Sequence, residues 1–349
     1  MITHRILNRT LLDRQHLLER SEVGPLPMTE HLLGLQAQDV LPPYLSLHAR
    51  LADFDPHTLS EALERRDAVR LVVMRGTIHL LTRADAPLLR GLSQPQLTRV
   101  IRNTAWGRGF PEARYGELAD LAREVLADGQ HSPKALGEAL WARFPEKSAS
   151  DLGNLARHLV PLVQLPPRGA WKQPGGQQYR TLEDWLGDEV PGEIDLTEVV
   201  RRYLRAFGPA TAADVTAWSG ATGMREVFRA MKEELVEHRT EGGGTVSDLD
   251  GLRLADAEAP APVRLLGKYD NLWLSHAGRD RVTPDPAKRK RWMGVNGGMA
   301  NTVFVDGELE GLWRQHEGRV DVELFRELTR AERAELEAEV SRTEGLLAR

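Results

Sequence analysis

Apolar side chains recur along this chain first at helical and then at strand spacing, and the alternation repeats. Between residues 115 and 127, Leu118, Leu121, Ala122, Val125 and Leu126 fall on one face of a 3.6-residue period. Ser132 followed by Pro133 marks the start of a second helix running to about residue 144. The pattern predicts a third helix over 150–163. Runs at 168–172 and 178–182 then flank a Pro174-Gly175-Gly176 turn, which reads as a short hairpin. Three helices and a hairpin make a winged helix.

The unit returns from residue 195, where Leu196, Val199, Val200, Tyr203 and Leu204 form one helical face that ends at Gly208-Pro209. Thr211 with Asp214 reads as a capping box for a short second helix. A third helix is predicted over 223–238, and strands over 245–249 and 252–255 around Asp250-Gly251. A less regular version occupies the N-terminus, with helical patterns near 10–20, 29–35, 43–52 and 56–66 and strands over 69–74 and 77–82 around Arg75-Gly76. The last part differs: 302–305, 308–313 and 319–325 read as a meander, and 263–266 and 272–275 complete a small barrel before a charged helix. The predicted fold is therefore α+β, mainly α. Three tandem winged-helix units (1–110, 111–190 and 191–258) precede a small C-terminal β-barrel with a terminal helix (259–349).

At 349 residues, several packed units are expected rather than one core. The hydrophobic fraction of 41% includes no apolar run near the roughly 20 residues a bilayer demands, so no membrane association is expected. The opening Met1-Ile2-Thr3-His4-Arg5-Ile6 lacks the features of a secretory signal, so a cytoplasmic location is expected. The absence of cysteine removes disulfides, thiolate nucleophiles and cysteine-based metal sites. The eleven histidines are scattered without metal spacing, so neither a metal nor a cofactor is expected. A net charge of −5 is unusual for a nucleic-acid binder, but basic residues cluster locally at 99–108, 201–205 and 288–291.

Walker, dinucleotide-binding, zinc-protease and serine-hydrolase motifs are all missing. Gly242-Gly243-Gly244 reads as a wing tip rather than a phosphate cradle, because it does not open a helix. What remains is Leu35-Gln36-Ala37-Gln38-Asp39, followed by Pro43-Tyr44-Leu45-Ser46-Leu47-His48-Ala49-Arg50-Leu51. Further along come Met74-Arg75-Gly76-Thr77-Ile78-His79-Leu80, Phe207-Gly208-Pro209-Ala210-Thr211-Ala212-Ala213-Asp214-Val215 and Tyr269-Asp270-Asn271-Leu272-Trp273-Leu274-Ser275-His276. This ordered set resembles the AlkZ/YcaQ-type tandem winged-helix DNA glycosylases, and Gln38, where the YcaQ side carries a carboxylate, places it closer to the AlkZ branch. Gln-x-Gln alone would carry little weight; its place in the set makes it specific.

The resemblance implies a monofunctional DNA glycosylase, a monomer acting on double-stranded DNA that carries alkylated purines or interstrand crosslinks, in repair or genotoxin resistance. Gln36 and Gln38 become the catalytic pair, with Asp39, His48 and His79 as candidate support. Arg75, Arg279 and Arg281 are candidate DNA contacts. The alternative is a winged-helix DNA-binding protein or transcription regulator without catalysis.

Residues two apart diverge by about 200° on a helix, so the two amides converge only if residues 36–41 leave the helix that precedes them. An N7-alkylated guanine is already cationic and leaves as a neutral purine, so the enzyme must only place water at C1′ and tolerate oxocarbenium charge. An amide oxygen can accept a hydrogen bond from that water. Forgoing acid–base help gives up about 10²–10⁴ in rate, which spares normal DNA. Aromatic content of 6% makes no stacking pocket evident, although Trp106 or Trp171 would suffice to stack one base.

Overall fold

The structure, a computed structural model, describes residues 1–293 and 299–349. Thr3 caps α1 (His4–Arg14), and Pro25 opens α2 (Pro25–His31). Leu33 and Gly34, at φ of 53° and 93°, turn the chain out of that helix into β1 (Leu35–Gln36). Gly34 is required there, since a Cβ would lie 2.2 Å from the Leu81 side chain. Next come α3 (Leu41–Arg50), α4 (Pro56–Glu64), β2 (Ala68–Val72), β3 (Ile78–Thr82) and α5 (Asp85–Asn103). The strands expected around Arg75-Gly76 are thus present, and Arg75 itself sits at φ 59° in the connecting turn.

The second repeat contains α6 (Tyr115–Ala127), α7 (Pro133–Trp141), α8 (Ala149–Leu159), β4 (Leu162–Gln164), β5 (Tyr179–Thr181) and α9 (Leu182–Leu186). Ser132 and Ser148 cap α7 and α8 through their hydroxyls. The hairpin departs from expectation: its first strand is β4, and residues 168–172 form turns. Pro161 denies Val160 a helical conformation and ends α8 early, while Pro166-Pro167 interrupts the strand.

The third repeat contains α10 (Leu196–Phe207), α11 (Ala212–Ser219), α12 (Met224–Ala230), β6 (Leu235–Arg239) and β7 (Thr245–Leu249), and the Thr211–Asp214 capping box is present. The helix expected over 223–238 stops at Ala230, and its second half is β6. Gly242 to Gly244 lie in the turn of the β6–β7 hairpin, so Asp250-Gly251 follows the hairpin rather than forming it.

In the C-terminal part, β8 (Arg264–Leu266), α13 (Asn271–Leu274), α14 (Pro286–Met293), β9 (Asn301–Val305), β10 (Glu308–His316) and β11 (Arg319–Leu324) precede α15 (Arg330–Ala348). The expected barrel is not formed among the described residues. The strands make an open antiparallel sheet in the order β11-β10-β9-β8, with α15 packed against β8 and β11. Residues 272–275 could not supply another strand, because the Asp270 carboxylate accepts from Leu272 N–H and caps α13.

The first two repeats share one five-stranded antiparallel sheet, ordered β1-β3-β2-β4-β5, in which Arg70 of β2 faces Gln164 of β4. Its edge strand is β1. The helices of the second repeat close a separate small core around Leu118, Phe144 and Leu155, while one continuous core joins the first and third repeats to the C-terminal sheet. Among the described residues, no helix is long and apolar enough to cross a membrane.

Candidate active site

Gln36 faces His79 across the β1–β3 ladder, and the flanking bond Ala37 N–H to Ile78 C=O, 2.7 Å, makes this a pair whose side chains approach closely. Residues 35–37 are extended, as convergence of the two amides requires. Leu41, expected outside a helix, instead opens α3, whose first turn accommodates Pro42 and Pro43 because N–H groups there lack helical partners.

Both amides are held by the segment 75–79. Arg75 Nη2 donates to Gln36 Oε1 at 3.0 Å, and Ile78 N–H donates to Gln38 Oε1 at 3.3 Å. Each partner can only donate, so the oxygen of each amide must face it. Gln36 is buried and Gln38 exposed. The same Arg75 Nη2 lies 3.1 Å from His79 Nε2, and His79 Nδ1 lies 3.1 Å from the Thr77 carbonyl. Since a carbonyl only accepts, the proton sits on Nδ1 and Nε2 accepts from Arg75. Burial, with the Arg75 charge beside it, pushes His79 down to about 3, so the ring is neutral at ordinary pH.

Arg75 departs from its expected place as a DNA contact. Its Nη1 donates to the Trp218 carbonyl of α11 at 2.6 Å, and its own N–H is held by Gln96 Oε1 at 3.0 Å. Burial, reinforced by the charge of Arg279, lowers its pKa to about 10, leaving it protonated. Arg279 is therefore close to the site, but its guanidinium folds back onto the carbonyls of His276 and Ala277. Arg281 turns inward, and Tyr203 and Asp214 oppose the effect of its burial. The expected basic clusters are largely neutralised within the chain: Arg102 pairs with Glu112, Arg201 with Glu234, Arg202 with Asp85, Lys288 with Glu310 and Arg289 with Asp280.

Asp39 is exposed and lies 3.6 Å from Lys268 Nζ. It opens a cleft of about 470 Å³ that Lys268, Asn301, Trp313, Arg314 and Gln315 also line. Neither glutamine lines this cleft or the two larger ones, each of about 750 Å³. His48 stands apart from the pair: Arg342 of α15 donates to its backbone carbonyl at 2.8 Å and packs on its ring, and burial with that charge holds the ring at about 3. Trp171 is buried and Trp106 packs on His158, with ring centres 4.6 Å apart. Among the described residues, no cluster of three or more histidine, aspartate or glutamate side chains is arranged to hold a metal.

Several residues that position the motif carry no catalytic signature in sequence. Asn271 Nδ2 donates to the carbonyls of Leu32 and Gly34 at 3.1 and 2.9 Å, fixing the turn that delivers β1. Beside it, Asp270 forms a fully buried two-bond pair with Arg50, at 2.7 and 2.8 Å. The motifs Pro43 to Leu51 and Tyr269 to His276 hold these groups, which was the available signal. Arg70, a charge inside the apolar run 68–74, was another; its Nη2 donates to the Ala37 carbonyl at 2.7 Å.

The edge strand β1 thus ends on Gln36, Gln38 follows it with its amide oxygen held by Ile78 N–H, and an open cleft begins at Asp39. Comparison with known proteins identifies the class. The model of the DNA glycosylase AlkZ-like family matches residues 29–346, and the chain belongs to that family. It is 25% identical over 326 residues to an interstrand DNA cross-link repair glycosylase of Streptomyces sahachiroi, covering 86% of this chain and 85% of the relative. The solved structure of the S. sahachiroi DNA glycosylase AlkZ superposes with a TM-score of 0.81 at 21% identity, covering 99% of this chain and 97% of that one.

Proposed function

We propose that this chain hydrolyses the N-glycosidic bond of bulky or cationic N7-alkylated purines in double-stranded DNA, with Gln36 and Gln38 positioning the water and stabilising the oxocarbenium-like transition state. The observation that carries this reading is the anchoring of both amide oxygens to one segment, residues 75–79, from the extended edge strand. Each amide oxygen has two lone pairs and uses one on that segment, so each keeps one for a water hydrogen. Two fixed acceptors define a water position without a strong base. His79 has its only proton on Thr77, which suits a substrate that brings its own positive charge.

The named role of the Streptomyces relative extends the proposal to unhooking interstrand crosslinks, and the exposure of Gln38, next in sequence to Asp39 on the wall of an open cleft, suits a bulky adduct. We read the three helix–hairpin repeats as winged-helix units and the protein as a monofunctional, monomeric glycosylase of the Gln-x-Gln branch acting in the cytoplasm. Arg314 and Gln315, exposed on the β10–β11 hairpin and lining the cleft, replace Arg75 as the nearest DNA-facing groups. A regulator reading is disfavoured by α12, seven residues long with Glu226 between Arg225 and Arg229.

The test incubates the protein with duplex DNA bearing an N7-alkylguanine and counts abasic sites. Wild type should release the base, and Gln36→Ala and Gln38→Ala should each slow it at least about ten-fold. No release by wild type over a range of alkyl groups would sink the enzyme reading; release surviving both substitutions would sink the site assignment alone.

A further inference from the structure

We infer that Arg70 is a positioning residue for the Gln36-Ala37-Gln38 segment: it draws the Ala37 carbonyl out of the β-ladder and so frees the Ile78 N–H to hold the Gln38 amide. The inference rests on the proposed role of Gln38. Leu35 faces Leu80 and Gln36 faces His79, so Ala37 comes opposite Ile78. In a regular antiparallel ladder such a pair exchanges two backbone bonds. One is made, from Ala37 N–H to the Ile78 carbonyl at 2.7 Å. The return bond is replaced: the Ala37 carbonyl accepts from Arg70 Nη2 at 2.7 Å, and Ile78 N–H turns to Gln38 Oε1 at 3.3 Å.

Arg70 reaches this carbonyl from β2, across the intervening β3. It lies in a slot made by Gly169, at φ 100°, where a Cβ would come within 2.5 Å of Arg70 Cδ and Nη1. The Gly169 carbonyl in turn accepts from the Tyr44 hydroxyl at 2.7 Å, which fixes the wall of the slot. The slot leaves the guanidinium poorly satisfied. Arg70 is 2% exposed, and its Nε and Nη1 have no hydrogen-bond partner. An apolar side chain of similar volume would be cheaper to bury, so stability does not account for an arginine here. The exchange of ladder partners does. Without Arg70 the Ala37 carbonyl would return to Ile78 N–H, and the Gln38 amide would lose its anchor.

The experiment compares Arg70→Met and Arg70→Lys, each alone and combined with Gln38→Ala, in the full-length protein. Readouts are the side-chain amide resonance of Gln38, affinity for undamaged duplex, and the single-turnover rate of N7-alkylguanine release. Arg70→Met should fold, keep its DNA affinity, shift the Gln38 resonance and slow release about ten-fold, the scale of one charge-assisted hydrogen bond. Lysine should restore most of the rate. In the Gln38→Ala background Arg70→Met should cost nothing further. An unmoved Gln38 resonance, or an equal rate loss in both backgrounds, would overturn the inference. Should Arg70→Met not fold, Arg70→Gln, too short to span β3, is read by the same criteria. If Gln38→Ala releases base as fast as wild type, the catalytic reading falls, while the resonance still decides whether Arg70 positions Gln38.

Discussion

Arg75 and Gln36 meet at 3.0 Å, Nη2 donating to the amide oxygen, and the bond orients the side chain of the buried glutamine from within the same repeat. The same guanidinium reaches Trp218 in α11, so the geometry of Gln36 depends on how the third repeat sits against the first.

Arg75→Met should therefore slow base release by about 10- to 100-fold and lower thermal stability, because the Trp218 carbonyl and His79 Nε2 lose a buried donor at about 1–3 kcal/mol each. Its effect on DNA binding separates this role from phosphate contact. The salt dependence of affinity for undamaged duplex should be unchanged in the variant. A slope reduced by about one would mean that Arg75 neutralises a phosphate.

The buried histidines give a stability profile with a definite sign. His48 and His79 are held at about 3 and His158 at about 4, in each case first by burial, and burial likewise lowers His276. Between those values and their ordinary 6.5, the unfolded chain binds protons that the folded one does not. Stability is thus fully present above about pH 6.5 and falls as the pH drops towards 3, by about 1–2 kcal/mol per histidine at pH 5. Thermal melts at pH 7.5 and 5 should show a clear drop. The release rate of enzyme that remains folded should stay nearly flat across that range, because the glutamines do not titrate.

Asp39 is the carboxylate that follows the pair in sequence, yet it is exposed and its partner Lys268 is likewise on the surface. Asp39→Asn should change the release rate by less than about three-fold and leave its pH profile intact. A carboxylate titration abolished by this variant would transfer the water-activating role to Asp39. Lys268, the amine lining the same cleft, should form no adduct with an abasic product that borohydride can trap, as a monofunctional enzyme requires. Trapping lost in Lys268→Ala would show a bifunctional one.

Much of this arrangement was legible in local sequence. Ser132, Ser148 and the Thr211–Asp214 box announced helix starts, and the run around Arg75-Gly76 announced β2 and β3. The divergence of alternate residues on a helix required an extended Gln36-Ala37-Gln38. Failures came where a distant partner decides. Residues 235–239 carry enough helix formers to extend α12, but pairing with β7 makes them a strand. Residues 272–275 form a short apolar run of the kind a buried strand carries, but the Asp270 cap and its bond to Arg50 fix them as a helix. The inward turn of Arg75 and Arg281 was invisible for the same reason. Their acceptors and charge partners lie at Trp218 and Asp214, over sixty residues away in sequence.

The Arg50–Asp270 pair helps fasten the C-terminal part to the first repeat, and its energetics should be asymmetric. Both side chains are wholly buried; Arg50 also donates to Gln15 Oε1 and to Ser46, and Asp270 caps α13. Burial alone would raise the Asp270 pKa, but Arg50 more than offsets it and holds the carboxyl below the usual range. Removing one partner strands the other charge without water, at about 3–5 kcal/mol. Asp270→Asn and Arg50→Met should each lower the denaturant midpoint sharply. The double variant Arg50→Met/Asp270→Leu should lie well above the sum of the two losses, because neither charge then remains buried. Next to the pair, Asn271 grips the carbonyls of Leu32 and Gly34, so the double variant should recover stability more fully than base release. Full recovery of both would show that the pair fastens the fold without registering the Gln36-Ala37-Gln38 strand.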